Sequence, residues 1–188
     1  MRIRSSRYAS LITVTAPRVR VENFALINSE GRGLTFAEAD RGQAVGVLTS
    51  NTYFCGIAMI ESHDGLVEKS HVIEADRSKA EGSKQWCSAI TSVTSDRTVI
   101  RGNTVERSYG EGINTNYGSR DTIIEDNLVF AVRAVGIYAD SAPSPTIRRN
   151  IVLGTKDPTF WRVTNAVGSG IVLNNETYSH VEWGGKLD

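Results

Sequence analysis

TVIRGNTVERSYGEGINTNYGSRD, residues 98–121, is followed directly by TIIEDNLVFAVRAVGIYADSAPSP, residues 122–145. Thr98 matches Thr122, Asn103 matches Asn127, Gly112 matches Gly136 and Ile113 matches Ile137, always at an offset of 24 (122 − 98). A third copy opens at Pro145-Thr146-Ile147-Arg148-Arg149-Asn150, one residue short, and reaches Gly170-Ile171 after an insertion. A period of this size marks a unit too small to bury its own apolar face, so it stacks on copies of itself.

The contents of each copy define the unit. Val99, Ile100 and Val105 recur as Ile123, Ile124 and Val129, then as Ile147 and Val152. These short β-branched runs, broken by Asn, Gly or Asp, are strands, and nothing in the spacing admits a ten-residue helix. Three short strands per unit predict one coil of an all-β, single-stranded parallel β-helix with about 24 residues per coil and coils about 4.8 Å apart. Asn103, Asn127 and Asn150 are expected to lie above one another inside a turn and share amide hydrogen bonds. Asn23 fits the same place, and Ser70 is a weaker match. The plainer alternative is that these residues only mark ordinary turns.

The pattern resembles the right-handed parallel β-helix superfamily, the pectate-lyase-like group with its asparagine ladder, from about Leu11 to Asn174. GEGI (Gly110–Ile113), GIYAD (Gly136–Asp140), RRNIV (Arg148–Val152) and GIVLNNE (Gly170–Glu176) are similar to secreted bacterial β-helix proteins associated with carbohydrate. The resemblance implies a secreted or cell-surface parent protein and a polysaccharide partner. A fold of this kind hosts lyases, hydrolases, epimerases, spikes and adhesins, so it does not choose among them.

The 188 residues suffice for one domain, 1–188, and hold 21 basic and 21 acidic side chains. A net charge of zero gives no long-range field toward nucleic acid or an anionic membrane. No apolar run approaches a spanning length. The start, Met1-Arg2-Ile3-Arg4, lacks the apolar stretch of a signal peptide. Strand-like sequence begins at Tyr8–Val14 with little chain left for a cap. A fragment of a longer chain is therefore expected, with further domains of the parent as partners, in preference to a first coil covered by another protein. Cys55 and Cys87 are expected as near neighbours in adjacent coils, and two buried free thiols are preferred to a disulfide. The path of residues 28–55 is open between a coil through Gly33-Leu34 and one long loop.

Two segments break the period and are expected to project as loops, 75–88 and 154–169. Both fall between the Asn turn and the Gly-Ile strand, and loops on one face of a solenoid commonly build its binding surface. On the Gly-Ile strands, Ile113, Ile137 and Ile171 should point inward. Alternation then sends Asn114, Tyr138 and Val172 outward, followed by Asn116, Asp140 and Asn174. Asp140 between Asn116 and Asn174, with Tyr138 beside Asn114, makes either a sugar-binding face or an ordinary solvated one. Tyr109, Glu111 and Arg133 lie at its edge, the second loop brings Phe160, Trp161 and Arg162 to the same rim, and Glu176 follows the last strand.

Asp140, Glu111, Arg133 and Glu176 are the candidate catalytic residues. Asn114, Asn116, Tyr138, Asn174, Tyr109, Trp161 and Arg162 are the candidate substrate-binding residues. A carboxylate pair would serve glycoside hydrolysis, and Arg can act as the base in lyases of the superfamily it resembles. The plainer roles are a turn cap for Glu111 and stacking on Tyr109 for Arg133. His63, His71 and His180 show no metal-ligand spacing, so no metal or cofactor is expected. A Ca²⁺ at Asp140 is implied by the resemblance alone. The function expected is binding, with cleavage or epimerisation, of an acidic polysaccharide; the alternative is a non-catalytic β-helix of an adhesin, spike or cell-surface protein. Glu125 and Asp126 should pair across coils with Arg101, Arg148 and Arg149.

Overall fold

Val, Ile and Leu at one position in most of the short strands turn inward and draw the chain into a coil, and the next coil hydrogen-bonds on top of it. The computed structural model describes residues 9–163 and 166–175. Within them the chain is a right-handed parallel β-helix of about six turns, roughly 23 residues apart. A seven-stranded sheet runs through Ser10–Val14, Arg32–Ala37, Ile57–Ile60, Ser88–Val93, Glu111–Asn116, Val135–Asp140 and Ser169–Asn174. The second sheet, of six strands, runs from Arg20–Glu22 to Thr146–Arg148, and the third, also of six, from Ala25–Ser29 to Ile151–Leu153. All pairings within these sheets are parallel, and the register matches the sequence repeat: Ile90 beside Ile113, Ile113 beside Ile137, Val105 beside Val129. Residues 28–55 form a regular coil, with Gly33-Leu34 at the start of a strand of the seven-stranded sheet.

One apolar column fills the interior. Ile57, Ile90, Ile113 and Ile137 from the seven-stranded sheet meet Val67, Ile100 and Ile124 from the second sheet and Val72, Val105 and Val129 from the third. Ile171 keeps the inward register but lies on the last coil described, where it is 51% exposed. The glycines before Ile113 and Ile137 are required by contact: a Cβ on Gly136 would lie 2.4 Å from Val152 Cγ1, and one on Gly112 would lie 2.6 Å from Val129 Cγ1.

The asparagine ladder is present. Asn103 N–H donates to Asn127 Oδ1 at 2.9 Å and Asn127 N–H to Asn150 Oδ1 at 3.0 Å, while each Nδ2 returns to a carbonyl of the neighbouring coil. Ser70 begins the column, accepting from Val47 N–H and donating its own N–H to Asn103 Oδ1. Asn23 does not belong to it. Asn23 (φ 58°) occupies the left-handed position just before the ladder, with Gly46, Lys69, Gly102, Asp126 and Arg149 in the same place on later coils. The ladder asparagines themselves are not left-handed; their predecessors are. A second ladder, of serines, links Ala39, Ser62, Ser95 and Ser119 through backbone N–H donors to each next hydroxyl. Ion pairs align the outside: Arg148 and Arg149 reach Glu125, Arg149 also reaches Asp126, and Arg101 pairs with Glu68 of the preceding coil instead of Glu125.

Cys55 and Cys87 form a disulfide, with Cα atoms 5.2 Å apart, so the free-thiol expectation is overturned. Their placement at neighbouring coil starts brings the sulfurs together. The bond anchors the end of the loop before Ser88 to the coil below.

Candidate glycan-binding site

Two long loops and two short corners shape one side of the solenoid. All four join the third sheet to the seven-stranded one. Residues 74–87 and 154–168 are long, and residues 107–110 and 131–134 lie between them. The long loops therefore start roughly 14 Å apart, three strand spacings, yet they touch above the short corners. The first carries a one-turn helix, Arg77–Ala80, and the second a 3₁₀ turn, Pro158–Phe160, followed by a hairpin. Trp86 of the first loop has Lys79 Nζ at 3.5 Å and Arg162 Cζ of the second loop at 5.3 Å from its ring centroid. Phe160 packs on Tyr109 with ring centroids 5.1 Å apart, and Arg107 Cζ lies 5.5 Å from the Phe160 ring centroid. Arg133 does not stack on Tyr109; its Nη1 donates to the Lys79 carbonyl at 2.9 Å and ties the first loop down.

Beneath the loops lie the acids. Asn114 Nδ2 donates to Glu111 Oε2 at 2.7 Å, and Ser88 Oγ donates to the same atom at 2.9 Å. Glu111 thus reaches the same side as Asn114. Glu111 is no turn cap. Burial pushes its carboxyl above the usual range and the Asp140 charge adds to that, while the bonds from Asn114 and Ser88 and the charge of Arg162 oppose it. Asp76 is fully buried, accepting from Ser78 Oγ at 2.6 Å and Cys87 N–H at 3.2 Å. Its carboxyl is raised to about 7, chiefly by burial.

The face is not the open, solvated sheet that alternation suggests. Asp140 is 4% exposed and Asn114 3%, and Tyr138 is buried as well. Asn116 pairs in register with Asp140, and Asp140 with Asn174. Asn174 Nδ2 reaches Tyr138 Oη at 3.4 Å. Asn114 Oδ1 and Asn116 Oδ1 are buried acceptors without a hydrogen-bond donor. Trp161 is used inside its own loop, its Nε1–H donating to the Thr155 carbonyl at 3.0 Å. Glu176 and His180 lie outside the described residues.

The structure therefore brings together Glu111, Asp140, Asn114, Asn116, Tyr138, Arg133, Tyr109 and Arg162. It adds Trp86, Lys79, Asp76 and Ser88, which the repeat could not single out.

Residues 27–184 match the family model described as periplasmic copper-binding protein (NosD). The chain belongs to this family. No curated protein sequence matches it. Among solved structures, it is similar to full-length tailspike protein 2 from the Escherichia coli O157:H7 bacteriophage CAB120, at 14% identity and a TM-score of 0.58 over 74% of this chain and 19% of that one. It is also similar to the enzymatically active domain of bacteriophage CBA120 tailspike protein 2, at 14% identity and a TM-score of 0.57 over 86% of this chain and 26% of that one. The chain thus spans about a fifth to a quarter of these proteins, and the likeness establishes the fold alone. An alginate lyase from Paenibacillus sp. str. FPU-7 matches at 10% identity and a TM-score of 0.40 over 89% of this chain and 76% of that one, too low to carry an argument.

Copper is held by imidazole, thioether or thiolate ligands. In this NosD-family chain the two cysteine sulfurs are joined and Met59 is sealed in the core. His63 Nδ1 accepts the Asp96 N–H, and His71 Nε2 is bonded to Glu106 at 2.8 Å. The described residues do not fit a copper ion. No group of three or more His, Cys, Asp or Glu among them is placed to hold a metal ion. No helix among the described residues is long and apolar enough to cross a membrane.

Proposed function

We propose that this NosD-family solenoid is a secreted or periplasmic domain that binds an acidic polysaccharide on the outer side of its seven-stranded sheet, where the two long loops meet. The observation that carries this reading is the pair of orphaned acceptors, Asn114 Oδ1 and Asn116 Oδ1, next to Glu111 and Asp140. A buried acceptor without a donor costs about 1–3 kcal/mol, and sugar hydroxyls supply such donors. Trp86 offers a ring at the entrance, and Arg133, Arg162 and Lys79 set a positive rim that selects acidic sugars. The disulfide suits an oxidising compartment, in line with the periplasmic description of the family.

Cleavage is a second step of this reading. Glu111, whose carboxyl is pushed upward by burial and less strongly by the Asp140 charge, is placed to exchange a proton with a bound sugar. The enclosure of Asp140 and Asn114 favours the other reading, a non-catalytic glycan-binding β-helix.

The test is calorimetric binding to pectin, alginate and glycosaminoglycans with wild type, Asn114→Ala, Glu111→Gln and Asp140→Asn, together with absorbance of unsaturated uronate products. Binding lost in Asn114→Ala supports the site, and product lost in Glu111→Gln adds cleavage. Absence of binding to every acidic glycan would refute the proposal.

A further inference from the structure

The stacked arginines of this protein are generally matched to acids: Arg97 to Asp64, Arg101 to Glu68, Arg107 to Glu74, and Arg148 and Arg149 to Glu125 and Asp126. Lys79, Arg133 and Arg162 depart from that pattern, as Arg18, Arg41 and Arg120 do, but the first three come together. None of the three has an ion-pair partner among the described residues, although they come from three different segments and converge. Lys79 Nζ and Arg162 share the Trp86 ring, and Arg133 grips the Lys79 backbone. Burial lowers the pKa of the Lys79 ammonium and the like charges of Arg133 and Arg162 add to that, while Asp76 and Glu111 oppose it.

The nearest carboxyls are already committed. Asp76 takes Ser78 and Cys87 N–H, and Glu111 takes Asn114 and Ser88. Lys79 Nζ donates one hydrogen bond, of 2.9 Å, to the Ser83 carbonyl, which leaves donor capacity on an ammonium that has three protons. Arg133 uses one donor of five. Gathering three cations costs free energy by mutual repulsion, and an oxyanion between them reverses the sign.

We infer that Lys79, Arg133 and Arg162, with Trp86 as a half-exposed wall, form a subsite for a single oxyanion carried on a sugar ring, a carboxylate or a sulfate ester. The inference rests on the glycan-binding reading and names the group that is read. The disulfide-anchored first loop supplies Lys79 and Trp86, the second loop supplies Arg162, and the short corner between them supplies Arg133. Selectivity for acidic glycans therefore resides in the loops and not in the coils.

The experiment titrates the whole chain with galacturonate, with galactose 6-sulfate and with neutral galactose, following indole fluorescence and heat. Trp86→Phe serves to assign the fluorescence change. Both charged sugars are expected to bind more tightly than galactose. Arg162→Gln and Lys79→Gln should each weaken the charged sugars roughly tenfold, as loss of one charge-assisted hydrogen bond does, with galactose unchanged. A preference for one charged sugar assigns the oxyanion as carboxylate or sulfate. Equal affinity for galactose and the charged sugars, or charged-sugar binding untouched by Arg162→Gln and Lys79→Gln, overturns the subsite. The two proposals fail separately. Polysaccharide binding that depends on Asn114 but not on Arg162 keeps the function and removes the subsite. Monosaccharide anion binding lost in Arg162→Gln, with no polysaccharide bound, keeps the subsite and removes the function.

Discussion

Asn127→Ala tests the column that sets the coil register. Asn127 Oδ1 accepts from Asn103 N–H at 2.9 Å and from Asn103 Nδ2 at 3.0 Å; its Nδ2 donates to the Ile100 carbonyl at 2.9 Å and to Asn150 Oδ1 at 3.0 Å. Truncation removes all of these bonds, but their partners differ in what remains to them. Asn103 Nδ2 keeps the Val67 carbonyl, and Asn150 Oδ1 keeps the Asn127 N–H. The Asn103 N–H and the Ile100 carbonyl lose the side-chain partner inside the protein. Two such groups at about 1–3 kcal/mol each give an expected loss of about 2–6 kcal/mol. Against a typical domain stability of about 5–15 kcal/mol, that is a large fraction. Urea unfolding followed by circular dichroism should show a lower midpoint with an unchanged slope. A loss below about 1 kcal/mol would mean that the amide column is incidental to stability, and the account of the ladder given above would be wrong.

Reducing Cys55–Cys87, or replacing both with Ser, should cost about 4 kcal/mol, the chain-entropy value for a closed loop of this length, and a thermal melt indifferent to reductant would contradict it. Asp76 makes stability depend on pH. Its carboxyl moves from 3.8 to about 7 on folding, so the folded chain holds the proton more tightly than the unfolded one. Wild type should therefore lose stability as the pH rises from 3.8 to about 7 and level off above, whereas Asp76→Asn should lack that slope; parallel urea-midpoint profiles for the two proteins would rule this out.

The repeat made most of the solenoid legible. Equal offsets placed Ile113 beside Ile137 and Asn103 beside Asn127, because stacked coils force like residues into like places. Asn23 misled because the left-handed position and the ladder position are neighbours, and Asn suits both. The site was less readable, for two reasons. Strict alternation does not hold at the start of the Glu111–Asn116 strand, where the Glu111 side chain bonds to Asn114. Residues in the insertions have no partner one period away, so Lys79, Asp76 and Trp86 carried no positional signal. Proximity of Cys55 and Cys87 followed from the coil; whether the sulfurs were joined did not.

Extra residues enter this solenoid where the third sheet hands the chain to the seven-stranded one, and the Ser62–Ser95 and Ser70–Asn103 contacts close normally although each spans 33 residues. The remaining turns do not sense how much chain was added. A lineage can therefore lengthen, shorten or rewrite what it displays at that junction while the spool underneath stays wound. Grafting a foreign loop between Ile73 and Ser88 should likewise leave the winding intact.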